Sequence, residues 1–80
     1  MTKDERLLLE FYKTALASGD PEASINPKPI IQRLGYKELL VKDILKGLAK
    51  ANFIKIFSPE EIVVTENGSK LARTLYQSGE

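Results

Sequence analysis

Residues 30–54, IIQRLGYKELLVKDILKGLAKANFI, decide the fold of this chain. Gly35 interrupts an apolar pattern at the point where two helices have to turn sharply. The apolar residues after it recur at i, i+3, i+4 and i+7, the spacing of one helix face, and they are Val41, Ile44, Leu45 and Leu48. The opposite face carries lysines four residues apart, namely Lys42, Lys46 and Lys50. The stretch therefore predicts a helix, a turn and a second helix with a basic outer face, for which the first candidate partner is the major groove of DNA.

The composition is that of an ordinary globular domain. Eighty residues with 42% apolar and 29% charged side chains fit one domain, residues 1–80. The chain has neither cysteine nor histidine, so it lacks thiolate ligands, the commonest general base and the commonest metal ligand. We therefore expect no enzyme activity, no metal and no cofactor. No apolar run approaches the length of a membrane span, so we expect no membrane partner and a cytoplasmic location.

The positive charge is concentrated in the middle of the chain. Residues 28–55 carry seven bases and two acids, a net charge of +5, whereas residues 1–27 and 56–80 each have a net charge of −2. A concentrated positive charge is typical of a nucleic-acid-binding surface. The alternative on charge alone is a solvated, lysine-rich face without a partner.

Start and stop signals predict the elements around this stretch. Thr2 and Glu5 have the spacing of a capping box, which predicts a helix over residues 3–18 ending before Gly19. Asn26 caps a short helix over residues 27–34, and Thr65 caps a last helix over residues 66–77. The remaining predicted elements are a helix over 37–50, a hairpin of strands 53–57 and 62–65, a weak strand at 23–25 and a frayed end at 78–80.

Two local features need a packing explanation. Leu7, Leu8 and Leu9 are consecutive, and we expect that three such residues cannot all face one core. Either the apolar stripe is broad, or one leucine lies against another element or a partner chain.

Gly47 lies inside the helix over 37–50 at a cost of roughly 1 kcal/mol relative to alanine. That cost predicts a close backbone approach at Gly47.

Four segments carry a family resemblance: residues 31–36 (IQRLGY), the apolar face of residues 41–48, residues 50–54 (KANFI) and residues 64–72 (VTENGSKLA). With them the chain resembles, over nearly its whole length, the winged helix-turn-helix family of small bacterial and archaeal transcription regulators. Asn52 stands where the family often has glycine. The resemblance implies a mostly helical α+β fold with a three-helix core, a two-stranded wing and a C-terminal helix.

The resemblance also implies a function, namely binding of double-stranded DNA and regulation of transcription, with residues 37–50 as the recognition helix. The candidate DNA-binding residues are Lys28, Lys37, Leu39, Lys42, Asp43, Lys46, Lys50 and Lys55. Lys42 and Lys46 are expected to neutralise phosphates or reach guanine edges, and Leu39 to touch a thymine methyl or pack against the turn. Many family members pair through their terminal helices, which implies a homodimer formed by Leu7 and Leu9 of the first helix with Leu75 and Tyr76 of the last.

Other features favour a different partner. The expected wing tip, Pro59-Glu60-Glu61, carries two carboxylates that would repel phosphate, and Asp43 stands where the family often has a base-reading side chain. The alternative function is therefore that of a protein-interaction domain, a subunit or adaptor that does not bind DNA. The three tyrosines leave a similar choice between stacking on bases and packing at the edge of the core.

Overall fold

The computed structural model describes residues 2–77, and these residues form four helices and one two-stranded antiparallel sheet. In chain order the elements are α1 (Lys3–Ala17), α2 (Pro27–Leu34), α3 (Glu38–Lys50), β1 (Ile54–Ser58), β2 (Glu61–Val64) and α4 (Glu66–Gln77). The mostly helical α+β class is confirmed, and the predicted bounds hold to within one residue. The frayed end predicted at residues 78–80 lies outside the described range.

Helix α1 begins at the predicted capping box. The Thr2 hydroxyl accepts a hydrogen bond from the backbone N–H of Glu5 at 3.2 Å, and Glu5 Oε1 accepts one from the backbone N–H of Thr2 at 2.9 Å. The backbone hydrogen bond from Thr2, and then its side-chain hydrogen bond, hold the pKa of Glu5 below its usual value. Gly19 has a positive φ of 97° just beyond the C-terminal end, so the helix stops there.

The three consecutive leucines of α1 are all fully buried. Leu7, Leu8 and Leu9 are each 0% exposed, so the expectation that they cannot all face one core was wrong, and the alternative of a broad apolar stripe is confirmed. The reason is the central position of α1, which contacts α2, α3, α4 and β2 and is therefore covered on several sides. Leu7 and Leu9 are thus unavailable for the predicted homodimer surface, whereas Tyr76 on α4 remains 53% exposed.

Helix α2 is set between a cap and a left-handed turn. Asn26 Oδ1 accepts a hydrogen bond from the Lys28 N–H at 3.0 Å, and Pro27 occupies the first helical position, where a missing N–H does no harm. Gly35, with φ of 71°, ends α2 and lets α3 begin three residues later. Ahead of α2, the predicted strand at 23–25 is a single bridge in which Ile25 exchanges two backbone hydrogen bonds with Ile62.

The β1–β2 hairpin is fastened at its base. Asn52 leaves α3 with a positive φ of 65°, a conformation that glycine and asparagine adopt most readily. The Thr65 hydroxyl donates to the carbonyl oxygen of Asn52 at 2.6 Å and accepts from the N–H of Gly68 at 3.1 Å. It therefore joins the end of α3 to the start of α4, and its predicted role as the α4 cap is confirmed.

The core draws on every helix and both strands. Its members are 7% exposed or less: Leu7, Leu8, Leu9, Phe11, Tyr12, Ala15, Ile25, Ile30, Val41, Ile44, Leu48, Ile54, Ile62, Val64 and Ala72. Leu16 near the end of α1 lies outside this core and is 43% exposed. On α3, the side chains of Val41, Ile44 and Leu48 are buried in the core. The opposite side of the helix therefore faces solvent.

Gly47 has open space around it. A Cβ built on Gly47 would meet no atom within 4 Å, so the expected close backbone approach at this residue was wrong. Gly47→Ala is therefore expected to raise the free energy of unfolding by about 0.5–1 kcal/mol, because alanine loses less backbone entropy in a helix. Urea denaturation followed by circular dichroism measures the change. A destabilised variant would contradict the open environment.

Candidate nucleic-acid interface

The outer side of α3 carries most of the predicted site. Opposite the buried face of this helix lie the exposed residues Leu39, Lys42, Asp43, Lys46 and Lys50, and the exposed Glu38 and Gly47 lie at the margins of this side. Leu45, predicted within the buried face, is half-buried at its border. The helical spacing of the sequence therefore predicted correctly which side of α3 is buried and which is exposed.

A shallow concavity lies between α3 and β1. It measures about 430 Å³ and is lined by Leu39, Lys42, Asp43, Leu45, Lys46 and Ile56. Four predicted site residues are thus brought together with Leu45, predicted for the buried face, and with Ile56, which sequence reasoning missed. The missed signal is the alternation of β1, since Ile56 shares a strand face with the buried Ile54 and that face turns toward the helix before it.

A second concavity flanks α3 on the side of α2. It measures about 480 Å³ and lies between α2, α3 and the loop at residues 59–60. Lys42 and Leu45 line both concavities. The middle of α3 therefore forms a ridge that separates the two concavities. A ridge one helix wide matches a DNA major groove, which is roughly 12 Å across.

Leu39 is 78% exposed. The alternative in which it packs against the turn is therefore wrong. Two large apolar side chains of β1 are also exposed, Ile56 at 45% and Phe57 at 63%. Ile56 lines the concavity beside α3, whereas Phe57 sits at the irregularity in the β1–β2 register and is not part of its lining.

The carboxylates near the hairpin tip contact the first turn of α2 and the segment that precedes it. Glu60 forms an ion pair with Lys28 at 3.0 Å, and Glu61 accepts a hydrogen bond from the Ser24 hydroxyl at 2.8 Å. The Lys28 and Glu60 side chains are 56% and 64% exposed, so the pair is weak and screened by salt. Lys28, a predicted site residue, already has an anionic partner within the chain.

Arg33 is also engaged, through a residue that sequence reasoning did not single out. Its Nη2 donates to Glu10 Oε1 at 2.6 Å, which links α2 to α1. Glu10 is 9% exposed and also lies 3.8 Å from Arg6 Nε and 3.7 Å from Lys13 Nζ. The contact spans 23 positions in the chain, so no local pattern signals it. Arg33 therefore has a structural partner, although its charge contributes to the basic middle segment.

The remaining bases of that segment keep their charge available. Within residues 2–77, no ion pair is formed by Lys37, Lys42, Lys46, Lys50 or Lys55. Lys37 precedes α3 directly, and Lys42, Lys46 and Lys50 follow its outer side. Lys55 belongs elsewhere, because strand alternation points it away from the face of β1 that Ile54 and Ile56 share. Four unpaired lysines thus lie along α3, and one lies on the hairpin.

The three tyrosines lie outside α3: Tyr12 on α1, Tyr76 on α4, and Tyr36 in the turn before α3, where it lines the second concavity. Tyr12 is 6% exposed, which fits packing at the edge of the core. Tyr36 is half-buried with Lys3 Nζ 5.6 Å from its ring centre, and the exposed Tyr76 has Lys13 Nζ at 5.4 Å. Both distances allow a cation–π contact, so the two rings have partners within the chain.

Residues 2–77 form neither a metal site nor a membrane-spanning helix. In the described part of the chain, no three His, Cys, Asp or Glu side chains cluster closely enough to hold a metal ion. Helices built from residues 2–77 are all too short or too polar to cross a membrane. Comparison of the sequence and structure with models of known protein families, with curated proteins and with solved structures finds no match.

Proposed function

We propose that the chain is a winged helix-turn-helix domain that binds double-stranded DNA as a small transcription regulator. In this proposal α2, Gly35 and α3 are the helix-turn-helix, α3 is the recognition helix and the β1–β2 hairpin is the wing. The single bridge between Ile25 and Ile62 supports it, since it pairs the segment before α2 with the outer edge of the hairpin. The basic outer side of α3 is the surface that meets the DNA.

The observation that carries the proposal is the row of unpaired lysines along α3. Lys37, Lys42, Lys46 and Lys50 extend from the N-cap to the last residue of the helix. Each ammonium that neutralises a phosphate releases condensed counterions, which drives binding at low salt. Phosphate contacts position a helix without specifying sequence, so the affinity is mainly electrostatic. The acidic tip of the wing stays off the DNA backbone, because Glu60 and Glu61 would repel phosphate.

Charge reversal on α3 tests the proposal. Lys42→Glu/Lys46→Glu is expected to abolish binding to a duplex at micromolar protein, because two phosphate contacts become repulsive. The matched control is Lys70→Glu/Arg73→Glu, which changes the net charge equally at exposed positions of α4. Electrophoretic mobility shift and fluorescence anisotropy measure both. Equal loss in the control, or unchanged binding in the α3 variant, refutes the proposed surface.

The salt dependence gives a second readout of the same contacts. If all four lysines meet phosphates, the slope of log K against log salt is about −3 to −4. Lys42→Gln/Lys46→Gln removes two charges without adding repulsion, so the slope is expected to shrink by about 1.8. An unchanged slope would place the phosphate contacts elsewhere.

A second candidate function is docking to another protein, and the exposed apolar residues favour it. Leu39 and Ile56 line one concavity and are 78% and 45% exposed, and contiguous apolar surface often marks a protein interface. Phe57, outside that lining, is 63% exposed. A duplex titration in low salt separates the two functions. Even non-specific DNA binders have dissociation constants in the micromolar range, so the absence of a shift at about 10 μM protein favours protein docking.

A further inference from the structure

We propose that the concavity between α3 and β1 receives the C5-methyl group of a pyrimidine in the major groove. The inference rests on the proposed DNA binding and names the chemical group that this surface recognises. Leu39 and Ile56 supply apolar walls from two different elements, with the half-buried Leu45 behind them. Such walls cannot satisfy the donors and acceptors that cover most base edges.

A C5-methyl group is the apolar feature of the major groove. Guanine and adenine present ring nitrogens and exocyclic oxygen or amino groups there, and unmodified cytosine presents an amino group. Thymine adds a methyl, and 5-methylcytosine carries the same substituent at the same ring position. Leu39 at 78% exposure and Ile56 at 45% lose water contact when they cover such a group. Burial of one methyl-sized group improves affinity roughly fourfold.

The charged residues of the concavity fit the same ligand. Lys42 and Lys46 lie on the walls beside Leu39, so their ammonium groups can meet phosphates while the apolar side chains face the base edges. Asp43, in the same lining, accepts hydrogen bonds only, and an exocyclic amino group of cytosine or adenine can satisfy it. The major-groove edge of guanine presents acceptors and therefore repels the Asp43 carboxylate. Asp43 thus contributes selectivity against guanine at this position.

Removing the methyl group from the DNA tests the inference. One pair of probes is an alternating dA–dT duplex and the same duplex with dU in place of dT. The other pair is an alternating dG–dC duplex with and without 5-methylcytosine. The protein is expected to bind the methylated member of at least one pair roughly fourfold more tightly or better. An effect in the first pair identifies thymine as the methyl source, and an effect in the second identifies 5-methylcytosine.

Protein variants separate the methyl contact from a change in DNA shape. Leu39→Ala/Ile56→Ala is expected to bind the two members of each pair equally, and it keeps the fold because both side chains are exposed. Phe57→Ala is the matched control, since Phe57 is exposed but does not line the concavity, and it is expected to retain the preference. A preference that survives in Leu39→Ala/Ile56→Ala overturns the inference.

The outcomes for the two proposals are distinct. Equal binding of both members of both pairs, with salt-dependent affinity still lost in Lys42→Glu/Lys46→Glu, overturns methyl recognition and leaves DNA binding in place. Failure to bind any of the four duplexes overturns the proposed function itself, and methyl recognition with it.

Discussion

Gly68→Ala is expected to lower the free energy of unfolding by about 3 kcal/mol or more, because its new methyl group has no space. A Cβ built on Gly68 would overlap the carbonyl oxygen of Phe53 and lie 2.9 Å from Val64 Cγ1. The first obstacle is backbone, so no change of side-chain rotamer relieves it. Alanine would otherwise be favoured in a helix by up to about 1 kcal/mol, which the overlap outweighs.

Gly47→Ala is the matched control for this experiment. Both glycines lie within helices, and both changes add one methyl group, but only Gly68 is closely covered. Urea denaturation of the two variants and the unchanged protein gives the three free energies. Destabilisation of similar size in both variants would show that helix position, not the contact with Phe53, determines the effect. A stable Gly68→Ala would refute the close packing of α4 against Phe53 and Val64 at the base of the hairpin.

Leu7→Ala and Leu9→Ala are expected to destabilise the monomer as strongly as Leu8→Ala, by about 2–5 kcal/mol each. All three side chains are 0% exposed, so each truncation leaves a cavity in a core that an 80-residue chain cannot easily rebuild. Global stabilities of small domains are only about 5–15 kcal/mol, so one such change removes a large share. Thermal and urea unfolding measure the loss.

The exposed leucine of α3 supplies the control. Leu39→Ala removes the same atoms at a site that is 78% exposed, so its effect is expected to stay within about 0.5 kcal/mol. The result would be different if Leu7 and Leu9 formed a dimer interface. Their truncation would then change the sedimentation behaviour and make stability depend less on protein concentration, while the monomer core stayed intact.

Local signals in the sequence predicted the secondary structure well. The Thr2–Glu5 box, the Asn26 cap and Gly35 act through contacts only a few residues apart, so their chemistry can be read from the chain. Gly47 and Gly68 mark the limit of such local signals. Sequence reasoning predicted a close backbone approach at Gly47, whereas the structure has it at Gly68. The atoms that cover Gly68 belong to residues outside its helix, so the helical pattern does not reveal them.

The candidate site divides in the same way. The helical period of residues 38–50 placed Leu39, Lys42, Asp43 and Lys46 on one exposed side. The engagement of Lys28 by Glu60 and of Arg33 by Glu10 was not predictable, since those partners are 32 and 23 positions away. Ile56 joined the site only through the placement of β1 beside α3. Formal charge counts therefore overstated the positive surface, and local periodicity understated its apolar part.

The hydrogen bonds of Thr65 at the base of the hairpin determine where the chain can accept an insertion. Thr65 holds Asn52 and Gly68 together, so the relation between α3 and α4 does not depend on the tip. The tip adds the exposed contacts of Glu60 and Glu61, and a longer loop there costs only slowly rising closure entropy, about 0.6 kcal/mol per doubling. Residues 59–60 are thus a natural insertion point, where a reporter group or a longer arm can be carried without disturbing the helices beneath.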